Sequence, residues 1–299
     1  MLLNFSAPAV FLDKRGAGGY TECNLGRREP MRFMEALDIR PGVTAVIGSG
    51  GKTGLLRRLA QEAPGTVILC TTTHIRPFFE YPVLENPSPS DIRQALKTDR
   101  VLCVGTPAPG GKLTAAALPP AHLAEVADYV LTEADGSRQL PLKAHADHEP
   151  VIPAGCRQVI CVVGASGLGC PIREAVHRPE RFCALTGAAE TDVVTPELAA
   201  SALLKEELCG TVFLNQLDTP SRLPAAQRFA AALALTSALP ERQPAEWDDF
   251  PAVTRIYPSR LFCKKQKSRL LLVHSHEKPA RFSFFRGRGF TRCKTGGII

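Results

Sequence analysis

Between Met31 and Leu239, short apolar runs rich in β-branched residues alternate with longer stretches whose apolar positions recur at helical spacing. The runs Val43–Ile47, Thr66–Thr72, Arg100–Val104, Tyr129–Glu133, Gln158–Val163 and Thr211–Leu214 are nearly continuous in apolar character. That pattern predicts parallel strands covered on both faces rather than strands with one wet side. The spacing predicts helices over Gly54–Glu62, Ser90–Leu96, Pro120–Ala127, Pro179–Ala184, Pro196–Leu208 and Pro224–Leu235. Proline suits a first helical turn, where its fixed backbone angle helps and its missing N–H is not needed. Alternation of this kind implies right-handed crossovers and an α/β fold, a doubly wound, mostly parallel sheet of the phosphate-loop nucleotidase type. Ligands bind such sheets beyond the carboxyl ends of the strands, so the strand exits are where chemistry is expected.

The first exit reads Ile47-Gly48-Ser49-Gly50-Gly51-Lys52-Thr53. Glycines lacking Cβ let successive backbone N–H groups converge on one anion, and the following helix adds its positive end. Lys52 would neutralise terminal phosphate charge, and Thr53 offers a hydroxyl to magnesium. The usual spacing would place glycine at position 46, where this chain has Val46. The bland alternative is a glycine-rich turn with one exposed lysine, but the β-run before it and Leu55, Leu56 and Leu59 after it supply the context a phosphate loop requires.

Three further exits carry polar chemistry. Thr71-Thr72-Thr73-His74 follows the second run, a row of hydroxyls that suits either a strand end or contact with magnesium or phosphate. The fourth run releases Glu133-Ala134-Asp135-Gly136-Ser137-Arg138. Strand alternation puts Glu133 and Asp135 on one side, where both could face one magnesium ion, and Arg138 could grip a phosphate with two parallel hydrogen bonds. The last run leads into Asn215-Gln216-Leu217-Asp218, where GTPases carry Asn-Lys-x-Asp to read guanine; Gln216 replaces the lysine, and a plain strand-end turn is the competing reading. Gly164 to Gly169, after the fifth run, is either a second ligand loop or a flexible connection, and His177-Arg178 precede a helix start that could take an anion.

Charge changes the picture only at the ends. The net charge is +7, but residues 251–299 hold twelve Lys and Arg against the single acid Glu277, and the rest of the chain is slightly acidic. Nucleic-acid binding therefore finds no support in the body of the protein. Residues 240–299 contain Lys264-Lys265-Gln266-Lys267 and a Phe/Arg/Gly-rich run from Arg281 to Phe290, and residues 1–30 share their foreign character. A poorly ordered extension or out-of-frame stretch is preferred at each end over an RNA-binding tail, with residues 31–239 as the folded α/β domain. None of the ten cysteines forms a Cys-x-x-Cys pair, and Cys70, Cys103, Cys161 and Cys209 lie in or beside apolar runs, as reduced core thiols do. No apolar run is long enough to span a membrane, and the start Met1-Leu2-Leu3-Asn4-Phe5 does not read as a secretory leader, so a cytoplasmic location is expected.

Taken together, the loop from Ile47 to Thr53, Thr71-Thr72-Thr73-His74-Ile75, the run from Glu133 to Arg138, Pro141-Leu142-Lys143-Ala144, the run from His148 to Pro153, and Val176-His177-Arg178-Pro179-Glu180 resemble one family. It is the selenium-dependent hydroxylase accessory proteins, also called selenium cofactor biosynthesis protein YqeC. The resemblance spans about residues 40 to 220; Gly54 and Gln216 depart from the usual pattern. It implies a phosphate-loop protein that binds ATP or GTP and acts in the maturation of selenium-dependent molybdenum hydroxylases, with such a hydroxylase or its cofactor-assembly proteins as partners. In this reading Gly48, Ser49, Gly50, Gly51, Lys52, Thr53 and Arg138 bind phosphate, and Asn215 and Asp218 meet the base. Lys52, Glu133 and Asp135 are catalytic, and Thr53 and Asp135 hold Mg2+. The alternatives are a non-hydrolysing carrier of the phosphorylated molybdenum cofactor and a small-molecule kinase.

Overall fold

A computed structural model describes residues 32–236, together with the strand backbones of residues 257–259 and 270–274. The first half of the chain forms α1 (Phe33–Ala36), β1 (Gly42–Gly48), α2 (Lys52–Glu62), β2 (Val67–Thr71), β3 (His74–Ile75), β4 (Val83–Glu85), α3 (Pro89–Ala95), β5 (Val101–Ala108) and β6 (Lys112–Thr114). Next come α4 (Pro120–Leu123), β7 (Tyr129–Glu133), β8 (Leu142–Lys143), β9 (Cys156–Gly164), α5 (Ile172–Ala175), β10 (Val176–His177) and α6 (Pro179–Thr186). The series ends with α7 (Pro196–Glu206), β11 (Thr211–Asn215), α8 (Leu223–Thr236), β12 (Tyr257–Ser259) and β13 (Leu270–His274).

Each of the six apolar runs is a strand, and each of the six expected helices is present, with ends displaced by a few residues. Two elements depart further. β5 continues past Val104 to Ala108 and folds back on β6 through Gly110 and Gly111, both at positive φ. α4 stops at Leu123 because the chain beyond it tightens into shorter bonds, from the amide of Glu125 to the carbonyl of His122 and from Val126 to Leu123. Residues 1–30, and residues 240–299 apart from β12 and β13, lie outside the described residues.

The strands order as β12-β13-β11-β9-β1-β7-β2-β5-β6-β3, with β4 beside β5. The interior pairings from β11 to β5 are parallel, while β13, β12, β6 and β3 add antiparallel edges. This is a mixed, mostly parallel α/β sheet. Strand alternation splits its core: Val46, Leu69 and Leu131 pack with α1 and α2 on one face. On the other, Ala45, Ile47 and Val163 pack with α6, α7 and α8, and Ile68, Leu102 and Val130 pack with α3 and α4. Cys70, Cys103 and Cys161 are buried in these clusters, and the seven cysteines among the described residues are free thiols. Burial pushes the Cys70 thiol up to about 12.

The order of strands decides what meets at the exits. From β1 the chain crosses over β7 to β2, and it returns through β7 before passing to β9 on the other side. Val46 pairs with Glu133, and Gly164 with Asn215, so the exits of β7, β1, β9 and β11 lie side by side. That is the crevice where parallel sheets receive ligands.

Candidate functional site

The glycines of the first exit are required by contact as well as by conformation. Gly50 has φ +90°, and a Cβ there would stand 2.4 Å from Gly164 Cα; Gly51, at φ +123°, would place one 2.3 Å from Asn215 Nδ2. The loop is thus seated on the ends of β9 and β11. The Ser49 amide donates to the Val162 carbonyl at 2.8 Å, the Ser49 hydroxyl donates to the Leu140 carbonyl, and Asn215 Nδ2 donates to the Gly50 carbonyl at 2.8 Å. The first intrahelical bond of α2 runs from the Leu55 amide to the Gly51 carbonyl, and no side chain caps the helix. Among the described residues, no acceptor pairs with the amides of Gly50 through Gly54. Five successive N–H groups at a helix start form a concentrated positive edge.

Lys52 opens α2 and turns its side chain back under the loop, where it is 3% exposed. Its ammonium donates to the Gly48 carbonyl at 2.7 Å, and lies 2.7 Å from Asp135 Oδ1 and 3.7 Å from Glu133 Oε1. The expected convergence of lysine and both acids is therefore present. The two acids differ in surroundings. Asp135 is fully buried, and its Oδ2 faces the Gly48 amide at 2.8 Å, His145 Nε2 at 2.8 Å and Lys143 Nζ at 3.1 Å. Its Oδ1 meets the Lys52 charge out of line for a hydrogen bond. Burial alone would raise this carboxyl, but the His145 hydrogen bond and the Lys52 and Lys143 charges hold it well below the usual range. Glu133 Oε2 is buried with no donor among the described residues. Burial pushes Glu133 up to about 7, with Asp135 adding to the rise and Lys52 and the Thr53 hydroxyl opposing it.

Five further residues complete the site: Lys143, Glu149 and Arg178, which lie in stretches already singled out but without an assigned role here, and His145 and Glu206, which lie in none. Lys143 on β8 bridges Asp135 and Glu149, and it donates to the Gly136 carbonyl. Burial acts upward on Glu149, but Arg178, 2.8 Å away, and Lys143 outweigh it and bring the carboxyl down to about 2. His145 is clasped between Asp135 and Glu206 at the end of α7, 2.9 Å from its Nδ1. Burial pulls its imidazolium down, yet hydrogen bonds to the two carboxylates push it up to about 9. For His145 the signal in the chain was spacing: it stands two residues from Lys143, so the two project to one side of an extended segment.

The remaining expected residues divide. Thr53 is exposed at the front of the loop. Arg138 is also exposed, at φ +47°, with no ion-pair partner among the described residues. Asn215 faces the loop carbonyl of Gly50, so its amide nitrogen is engaged by the protein itself. Gln216 sits at φ +62° and accepts from the Ser166 hydroxyl, while Asp218 is exposed, 3.7 Å from Arg222. Thr71 and Thr72 bond backbone carbonyls, of Glu133 and Val151, and His74 is exposed on β3. Among the described residues, no group of three or more His, Cys, Asp or Glu side chains is arranged to hold a metal, and no helix is long and apolar enough to cross a membrane.

Fold and site together define a mixed, mostly parallel α/β protein with a glycine-rich strand-to-helix loop set over a buried lysine and two strand-end carboxylates. Residues 44–180 match the model of the YqeC protein family. It is 39% identical over 158 residues to the uncharacterized protein YqeC of Escherichia coli (strain K12), a match covering 50% of this chain and 62% of the relative. No solved structure matches the chain.

Proposed function

We propose that this chain binds a nucleoside triphosphate, ATP or GTP, at the loop from Gly48 to Thr53 and hydrolyses it. The observation that carries the reading is the run of five amides, Gly50 to Gly54, without an acceptor among the described residues, at the start of the helix that Lys52 opens. Converging N–H groups plus one cation suit a polyanion and little else. Arg138, exposed on the segment whose Leu140 carbonyl accepts from Ser49, would add a second cation. Asn215 contributes by holding the loop, and Asp218 remains the candidate for the base.

Magnesium fits the oxygen set at the front. Hard oxygens suit this ion, and the Glu133 carboxyl, which the Thr53 hydroxyl faces, keeps one oxygen without a donor among the described residues. We assign the ion to Thr53 and Glu133 rather than to Asp135, whose oxygens are already taken by three cations and an amide. When bound it would offset phosphate charge, with the remaining ligands drawn from phosphate and water. Asp135 instead orients Lys52, and positioning of this kind is most of what phosphoryl transfer asks of a protein.

Calorimetric titration with MgATP and MgGTP tests the reading. Lys52→Ala should remove measurable binding, and unchanged affinity in a folded variant would end the proposal. Phosphate release separates hydrolysis from the carrier role: tight binding with no release points to a carrier of the phosphorylated molybdenum cofactor. ATP consumption that needs an added acceptor points to a kinase. The link to selenium-dependent molybdenum hydroxylases rests on the family resemblance. Deleting the gene should abolish hydroxylase activity while leaving the hydroxylase polypeptide, and full activity would remove the link.

A further inference from the structure

His145 ties the loop to a helix on the far face of the sheet. The imidazole is 4% exposed, and both ring nitrogens face carboxylates: Nε2 lies 2.8 Å from Asp135 Oδ2 and Nδ1 2.9 Å from Glu206 Oε2. Carboxylates only accept, so both nitrogens must carry hydrogen and the ring has no tautomer to choose. The His145 amide adds a bond to Glu206 Oε1 at 2.6 Å, so that one carboxylate grips both backbone and ring. Glu206 ends α7, where the helix dipole disfavours an acid, and Glu207 follows it. The imidazolium offsets that cost and fixes the glutamate.

The consequence reaches the loop. A carboxylate beside Lys52 alone could rotate, but Asp135 Oδ2 is pinned by His145, Lys143 and the Gly48 amide, so Oδ1 is aimed at Lys52. We propose that His145 and Glu206 are positioning residues that hold Asp135, and through it Lys52 and the Gly48 amide, in the arrangement that takes a polyphosphate. The proposal rests on the phosphate-loop reading above, and makes the end of α7 a determinant of phosphate affinity.

Inorganic tripolyphosphate, which needs no base contact, is the probe, titrated calorimetrically into the full chain. Wild type should bind it, E206A and H145L should bind about tenfold or more weakly, and E206Q, whose single carbonyl oxygen can accept from the ring or from the amide but not from both, should fall between wild type and E206A. The Lys52 ammonium resonance, followed by nitrogen-15 NMR, should shift in E206A and H145L and shift less in E206Q. Wild-type affinity in folded E206A and H145L overturns the proposal while leaving the loop reading intact; failure of wild type to bind the probe sinks the loop reading itself. If E206A and H145L do not fold, H145Q decides, since one amide cannot bridge both carboxylates: wild-type affinity with an unshifted Lys52 resonance overturns the proposal, and loss of both supports it.

Discussion

Glu133 and Asp135 share a strand end and a lysine, yet their protons are held in opposite ways. Asp135 has an amide and three cations about it and stays ionised; Glu133 meets Lys52 at longer range, with one oxygen lacking a partner among the described residues, and rises to about 7. A neutral carboxyl is a poor ligand for a hard cation, so the sign is clear. Affinity for MgATP should rise as pH climbs through about 7, as Glu133 loses its proton. Glu133→Gln should bind weakly and show no rise there; a variant that keeps the wild-type profile removes Glu133 from the metal. That both acids would share a side was legible from their spacing. Which of them keeps its proton was not, because that depends on His145 and Lys143, residues from a different segment.

At the scale of elements, the β1–loop–α2 unit was legible because its constraints are local: an apolar run, then glycines, then leucines at helical spacing. Not all of its glycines are equal. Gly50 combines positive φ with a close approach to Gly164, whereas nothing lies within 4 Å of a Cβ on Gly54. Gly50→Ala should therefore destabilise by roughly 1–3 kcal/mol and disturb the loop. Gly54→Ala should stabilise α2 by up to about 1 kcal/mol, since alanine is the better helix former. Chemical denaturation of both variants checks the contrast, and equal effects would mean that the loop is not seated on β9. The hairpin of β5 and β6, the pair β8–β10 and the early end of α4 were not foreseen. Each is two to four residues long or set by a turn, too short for periodicity to register.

For the whole molecule, the buried ion network sets limits on stability with pH. His145 rises from its ordinary 6.5 to about 9, so its contribution is complete below about 6.5 and is lost as pH rises through about 9. Glu149 falls from 4.5 to about 2, so its contribution is complete above about 4.5 and is lost as pH falls through about 2. Between those limbs Glu133, raised from 4.5 to about 7, should make the melting temperature decline as pH climbs through about 7, and His145→Gln should flatten the alkaline limb. An alkaline limb identical in wild type and variant would take His145 out of the account.

Local rules were enough to read an α/β protein with parallel strands, a glycine-rich turn into a helix after β1 and paired acids after β7, because glycine sterics and hydrophobic period act within a few residues. Packing alone decided the rest. The contact of the Gly48 amide with Asp135 spans 87 positions and that of Asn215 with the Gly50 carbonyl spans 165. No local pattern encodes such meetings; strand order does. The same order buried Asp135 among cations, left one Glu133 oxygen without a partner among the described residues and brought Glu206 to His145, since the charge state of a buried group is set by whichever neighbours the fold supplies in place of water.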